Sequence, residues 1–306
     1  MFQSPQGFRR SSQLKTRGFI PALRPGAVFG AVLSLSLFLS LRADEPARTP
    51  AAGPGAYVAV HGLRMYYEAY GKGPPLLLLH GGMQTIATSF SKQIPAFSQS
   101  HRVIAPEQMG HGHTGDADRE FSYSVMAEDT AELLHQLNIT QTDVVGWSDG
   151  GIVGLVLAAH HPELVRRLIV SGANIRPDGS TAEFNARIRV MKPEDIKGAA
   201  REEYDRVSPD GAAHFPVFFR KIMTLWANTP TPADIDDAQL GRIQAPTLIV
   251  VGDHDIVRPE HTLEIFNHIP HAQLCILPGT GHFTFNRRPD WLNPIVLSFL
   301  AEKSGK

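Results

Sequence analysis

Apolar and polar positions change rhythm along this chain, and the changes predict its elements. Tyr57-Val58-Ala59-Val60 and Leu63-Arg64-Met65-Tyr66-Tyr67-Glu68 are two β-prone runs joined by His61-Gly62, which predicts a hairpin. Pro75 to Leu79 is apolar throughout, and a run without alternation suits a strand buried on both faces. A helix is expected around Ser89 to Phe97, then a strand over Arg102-Val103-Ile104-Ala105. Tyr123 to Leu137 carries Met126, Leu133, Leu134 and Leu137 at helical spacing. Thr142-Asp143-Val144-Val145 predicts a strand, Ile152 to His160 a buried helix, and Leu168-Ile169-Val170-Ser171 the next strand. The strand Pro246 to Val251 comes much later. It is followed by a helix (Glu260 to Asn267), a strand (Ala272 to Leu277) and a helix (Asp290 to Lys303). Strands alternating with helices predict an α/β fold, a mainly parallel sheet flanked by helices.

One excursion interrupts that alternation. Gly172 to Ala245 holds three helical patterns, Glu183 to Met191, Pro193 to Val207 and Pro216 to Leu225. Pro193 and Pro216 suit first helical positions. The expected division is a core of residues 57–172 and 246–303, with a helical cap, or lid, over 173–245. The lid carries Phe215, Phe218, Phe219, Met223, Leu225 and Trp226. Most of these should pack the insertion on itself. Met223 and Trp226, in its most aromatic part, are the candidates for substrate contact.

Residues 1–43 stand apart. Arg9, Arg10, Lys15, Arg17 and Arg24 lead into an uncharged run from Gly26 to Leu41, and Arg42-Ala43 precede the first acid, Asp44. The run is too short for a comfortable membrane span. Basic residues, an apolar run and a small residue predict a cleavable signal for export to the periplasm or medium, with an uncleaved membrane anchor as the rival. Arg9-Arg10 matches a twin-arginine signal poorly because the apolar run starts late. The sustained apolar run argues against an organelle transit peptide. Residues 44–56 are rich in Pro, Ala and Gly and predict a linker.

Composition narrows the chemistry. Lys plus Arg number 29 and Asp plus Glu 30, so no broad basic face for nucleic acid is expected. His111 and His113 lack a carboxylate or cysteine cluster nearby, so no metal site is expected. Cys275 is the only cysteine, which excludes an intramolecular disulfide. Within Gln273-Leu274-Cys275-Ile276-Leu277 it is expected to be a small core hydrophobe of a buried strand.

The chemistry-bearing stretch is Gly146-Trp147-Ser148-Asp149-Gly150-Gly151, a Gly-x-Ser-x-Gly turn between a predicted strand and a predicted helix. Small neighbours let backbone and helix approach, and the turn raises the Ser148 hydroxyl above the sheet. A serine hydroxyl is a poor nucleophile until a base takes its proton. His282, in Gly279-Thr280-Gly281-His282-Phe283 after the last strand, is the candidate base. Asp255, in Gly252-Asp253-His254-Asp255, is the candidate acid that holds the imidazole, with Asp253 the lesser choice. Two backbone N–H groups must receive a developing oxyanion. Asp149 supplies one, and His80-Gly81-Gly82-Met83 the other, Gly82 before Met83. His80 is expected to brace that loop. The remaining histidines show no comparable partner pattern in the sequence.

Residues 57–303 resemble an α/β-hydrolase-fold protein of the group holding esterases, enol-lactonases and carbon–carbon bond hydrolases. The elbow Gly146-Trp147-Ser148-Asp149-Gly150-Gly151, with Ser171-Gly172-Ala173-Asn174 after the next strand, is similar to the biphenyl hydrolase-like, or valacyclovir hydrolase, branch. The resemblance implies Ser148 as nucleophile, Asp255 as acid and His282 as base. It also implies that the carboxylate of Asp149 binds the ammonium of an α-amino ester, against the plainer role of favouring the start of its helix. Two departures stand out. Glu107 and Met109 occupy places where many members have Asp and Arg. Met83-Gln84-Thr85 replace the extra glycines that follow His-Gly-Gly in carbon–carbon bond hydrolases. A serine at 148 also argues against dehalogenases and epoxide hydrolases, which use an aspartate.

The expected activity is cleavage of a small-molecule ester or lactone through an acyl-enzyme, with no cofactor and no metal. Amino-acid ester and carbon–carbon substrates are alternatives within the fold. A ligand-binding receptor that keeps the fold without catalysis is the alternative from another class.

Overall fold

The structure is a computed structural model that describes residues 55–228 and 234–302. The predicted export segment and all but the last two residues of the predicted linker lie outside the described residues. Among the described residues, eight strands form one sheet. They are β1 (Ala56–Val60), β2 (Leu63–Tyr70), β3 (Pro75–Leu79), β4 (Arg102–Pro106), β5 (Thr142–Trp147), β6 (Val165–Ser171), β7 (Thr247–Gly252) and β8 (Ala272–Leu277). Their order is β1-β2-β4-β3-β5-β6-β7-β8. β2 pairs antiparallel with β1 and β4, and every other pairing is parallel.

The leucines of β3 show how the sheet is buried. Leu76 and Leu78 point to one face and Leu77 and Leu79 to the other, as the period of two in a strand requires, and all four are fully buried. Burying each contributes about 1.5–3 kcal/mol. On the Leu77 face lie α3 (Tyr123–Gln136) and α4 (Asp149–His160), with Met126, Leu134, Ile152 and Val156 in one cluster. On the Leu76 face lie α1 (Ile86–Phe90), α2 (Ile94–Phe97) and the later helices α10 (Thr284–Arg287) and α11 (Pro289–Ala301).

The single helix expected around Ser89 to Phe97 is two. Thr85 caps α1 through a reciprocal pair with Thr88, and the chain breaks before Pro95, which lacks the N–H that a continuous helix needs there. β8 is an edge strand, so Cys275 is half-buried rather than a core residue.

The insertion leaves after β6 and returns at β7. It contains α5 (Ala182–Ile188), α6 (Ala199–Val207), α7 (Phe215–Asn228) and α8 (Asp237–Leu240), with α9 (Pro259–His268) between β7 and β8. The helix expected over Pro193 to Val207 is split. A short 3-10 turn at Pro193–Asp195 ends before Gly198, whose φ of 65° belongs to the left-handed region. Phe215, Phe218, Phe219, Ile222 and Leu225 bury the inner face of α7. Tyr204 of α6 stacks on Phe218 at 5.0 Å. Lys221 ties α7 to the core, its ammonium donating to the Asp116 carboxylate (2.7 Å) and to the carbonyls of Ala117 (2.7 Å) and Arg119 (2.9 Å).

Candidate active site

Parallel pairing brings the site together. Leu79 lies opposite Gly146, Trp147 opposite Ser171, and Gly252 opposite Leu277, so the loops after β3, β5, β6, β7 and β8 share one sheet edge. Ser148 stands in the loop after β5, Asp255 in the loop after β7 and His282 in the loop after β8.

Ser148 has φ 55° and ψ −123°, a conformation that non-glycine residues rarely adopt and that costs of order 1–3 kcal/mol. Hydrogen bonds hold it there. Its N–H donates to the Ser171 carbonyl (2.8 Å), and its own carbonyl accepts from Gly151 (2.8 Å) and Ile152 (3.0 Å). Glycine is required on both sides. A Cβ on Gly146 would lie 2.2 Å from the Gly150 carbonyl oxygen, and one on Gly150 would lie 2.1 Å from that of Leu79.

The Ser148 hydroxyl donates to His282 Nε2 at 2.8 Å, and His282 Nδ1–H donates to Asp255 Oδ1 at 2.7 Å. Asp255 Oδ1 also accepts the Val257 N–H (3.1 Å), and the carboxylate is fully buried. Two further residues fix this row. Trp147 Nε1–H donates to the backbone carbonyl of His282 (2.8 Å). Gly172, at φ 61°, leaves room for the imidazole, since a Cβ there would sit 3.0 Å from its ring. Asp253 turns away from this row. It accepts from the Thr280 N–H (3.0 Å) and His254 Nδ1–H (2.8 Å), bracing the loop that carries His282. The backbone N–H groups of Gly279 and Thr280, then His254, draw its pKa down to about 2.

Gly82 and Asp149 flank Ser148 on the wall of a cavity of about 410 Å³. Neither backbone N–H has a hydrogen-bond partner among the described residues. That of Asp149 is an unpaired group of the first helical turn. The Met83 N–H is occupied, donating to His111 Nε2 at 3.1 Å, so it does not face the cavity as a second donor. His80 braces this loop, with Nδ1–H donating to the Gly81 carbonyl (2.8 Å) and Nε2 accepting the Gln108 N–H (3.0 Å). Burial lowers its pKa and keeps it neutral.

The Asp149 carboxylate does not cap its helix. It accepts from Tyr123 Oη–H (3.1 Å) and from Trp226 Nε1–H (3.1 and 2.9 Å to its two oxygens), linking α3, α4 and α7 beneath Gly82. Burial raises its pKa, opposed by the hydrogen bonds from Trp226 and Tyr123. Only glycine fits above it, because a Cβ on Gly82 would lie 2.3 Å from Asp149 Oδ2.

Trp226 lines the cavity, with its ring 5.9 Å from Phe184. Met223 does not. One turn earlier on α7, it packs half-buried against the main core. Phe184, Met191 and Val257 complete an apolar wall, and the exposed side chains of Arg187 and Lys197 stand at its rim. The insertion's aromatic content drew attention to α7 alone, so Phe184 and the rim cations were not legible as cavity residues. Carboxylate partners of other histidines were equally hidden, His113 with Glu107 (2.9 Å) and His261 with Glu264 (2.9 Å) among them. The first pair closes the loop after β4, whose path the local sequence does not announce, and the second lies one helical turn apart on α9.

The fold is that of the α/β hydrolases, and comparison with known proteins agrees: the model of the alpha/beta hydrolase fold family matches residues 74–204. The chain belongs to that family and is an enzyme of it. Among its curated relatives is the putative carbamate hydrolase RutD of Stutzerimonas stutzeri, 30% identical over 268 residues covering 79% of this chain and 98% of the relative. Another is the serine hydrolase BPHL of Homo sapiens, 28% identical over 296 residues covering 90% and 99%. Among solved structures, the meta-cleavage product hydrolase CumD of Pseudomonas fluorescens IP01 superposes with a TM-score of 0.67 at 24% identity, covering 81% of this chain and 97% of that one. This last likeness concerns the fold.

Proposed function

We propose that the protein is a serine hydrolase that cleaves a carboxylic ester-type bond of a small molecule, ester or lactone, through an acyl-enzyme on Ser148. The observation that carries this is the hydrogen-bonded row Ser148 Oγ, His282 Nε2, His282 Nδ1, Asp255 Oδ1, at 2.8 and 2.7 Å, opening on a 410 Å³ cavity. His282 accepts the serine proton as Ser148 Oγ attacks the acyl carbon. Asp255 stabilises the imidazolium so formed. The N–H groups of Gly82 and Asp149 receive the oxyanion, each such donor typically contributing about 3–4 kcal/mol in the transition state. His282 then protonates the leaving alkoxide, and the same imidazole draws a proton from water as it attacks the acyl group and frees the acid. Residues of the insertion, Phe184 and Trp226 foremost, act as a lid that selects the acyl chain.

The relatives' names span carbamates and meta-cleavage products. Another similar structure is that of Est816, an N-acyl homoserine lactone degrading enzyme, at 25% identity and a TM-score of 0.63. Ester and lactone chemistry needs only the groups named here. A second reading, hydrolysis of α-amino esters, is favoured by one observation: the buried Asp149 carboxylate lies on the cavity wall beside Ser148. Because Trp226 and Tyr123 already occupy it, we place this reading second. We propose also that the basic and apolar N-terminus directs export of the enzyme.

The test is a panel of short p-nitrophenyl esters, lactones and amino-acid esters, run on the purified protein and on Ser148→Ala and Asp149→Asn. Hydrolysis of at least one ester or lactone, abolished in Ser148→Ala, is the expected outcome. Hydrolysis that survives in that variant, or none by the native protein, overturns the proposal and favours a ligand-binding role. A loss confined to amino-acid esters in Asp149→Asn would promote the second reading.

A further inference from the structure

The loop after β3 contains a residue out of its usual conformation. Gly81 to Gln84 form a turn closed by Gln84 N–H donating to the Gly81 carbonyl at 3.2 Å. Met83, the third residue of this turn, has φ 57°. A positive φ there is the mark of a type II turn, a place that glycine or asparagine normally fills. A methionine would relieve itself by rotating the Gly82–Met83 peptide, unless something held that peptide in place.

His111 is the group that holds it. Its Nδ1–H donates to the Met109 carbonyl at 3.0 Å, which fixes the tautomer and leaves Nε2 as a lone-pair acceptor. That acceptor receives the Met83 N–H at 3.1 Å. The imidazole is buried, and burial with the neighbouring His80 lowers its pKa to about 3, so it stays an acceptor across the working pH range. His80 makes the reverse connection, from the loop after β3 to the backbone of Gln108 after β4. The two rings lie 4.9 Å apart and cross-link the two loops. Phe218 of α7 meets the His111 ring edge-on at 4.9 Å and 86°, so the insertion backs the contact from the far side.

We propose that His111 is a positioning residue: by accepting the Met83 N–H it locks the turn that aims the Gly82 N–H at the cavity. It touches no reacting atom and acts through the backbone. This rests on the hydrolytic reading of Ser148 for its effect on rate, whereas the lock itself, a side-chain to backbone hydrogen bond, stands without that reading.

The experiment compares native protein, His111→Leu and His111→Gln, the last keeping an acceptor near the place of Nε2. Two readouts are taken on the full chain: kcat and KM for one p-nitrophenyl ester, and hydrogen exchange of the Met83 amide. Loss of an oxyanion donor lowers kcat roughly 10²- to 10³-fold, so a misaimed donor should lower it about 10- to 100-fold in His111→Leu. KM should stay within about threefold, because ground-state binding gains little from the donor. The Met83 amide should lose protection in His111→Leu, and His111→Gln should recover most of both. In a Met83→Gly background, where the positive φ carries no penalty, the further change His111→Leu should cost much less. A folded His111→Leu protein with native kcat, or with the Met83 amide as protected as before, overturns the inference. If the native protein hydrolyses nothing, the hydrolytic reading fails on its own, and Met83 exchange still decides whether His111 holds the turn.

Discussion

Ser148 could not keep its backbone conformation unaided. The Ser171 carbonyl, the first turn of α4 and the bare Cα atoms of Gly146 and Gly150 together hold φ at 55°. The two aspartates after β7 show how place decides role. Asp255 is fully buried and bonded to His282, whereas Asp253 holds the loop backbone. Asp255→Asn should therefore lower kcat by about 10²- to 10⁴-fold with the fold intact, since it removes the charge that supports the imidazolium. Asp253→Asn should lower it far less. Steady-state kinetics alongside circular dichroism check both, and a larger loss in Asp253→Asn would invert the assignment. At this scale the row Ser148, His282 and Asp255 was legible because a serine, an aspartate and a histidine each follow a recognisable strand. His111 was not, because its role depends on the φ of Met83 and on a hydrogen bond between two loops. Met223 was misplaced because an apolar side chain on α7 can face either the core or the cavity, and only the rotation of the helix decides.

The elements divide by how strongly burial fixes them. β3, β5 and β7 are buried on both faces, and the apolar runs Leu76–Leu79 and Leu248–Val251, with the Val144-Val145 pair of β5 ahead of the elbow, announced them. The insertion is less regular. Gly198 breaks a helix there that periodicity alone would continue, as Pro95 does in the core between β3 and β4, since a left-handed glycine and a missing N–H outweigh apolar spacing. The insertion's attachment depends on Lys221, a buried ammonium with three acceptors. Lys221→Met would strand Asp116 with His214 as its remaining side-chain partner. Breaking one side of a buried pair costs about 3–5 kcal/mol, so urea unfolding at pH 7 should show a loss of that order. The pH dependence has a definite sign. Burial alone would raise the Asp116 pKa, but the hydrogen bonds from Lys221 and His214 bring it below the ordinary value. A depressed carboxylate stabilises the fold above its unfolded pKa of about 3.9, and that contribution fades as pH falls through the lower folded value. The deficit of Lys221→Met should accordingly be full at pH 7 and shrink below about pH 4. A deficit independent of pH would mean that Lys221 acts through packing alone.

Over the whole molecule, the sheet order does what no single motif can. Residues 148, 255 and 282 are far apart in the chain, and parallel strands with crossover helices return each loop to the same edge. This was foreseeable from alternation and from the order Ser, Asp, His, which the α/β hydrolases share. The size and chemistry of the cavity were not, because they come from the insertion, whose path over the sheet no periodicity specifies. If Ser148 is the nucleophile of acyl transfer, as proposed, a fluorophosphonate should react with it, and mass spectrometry of the digested native protein would locate the adduct. One adduct per chain is expected, on Ser148, absent from Ser148→Ala and formed far more slowly in His282→Ala. Labelling of Ser148→Ala at the native rate, or an unlabelled native protein, would contradict that proposal.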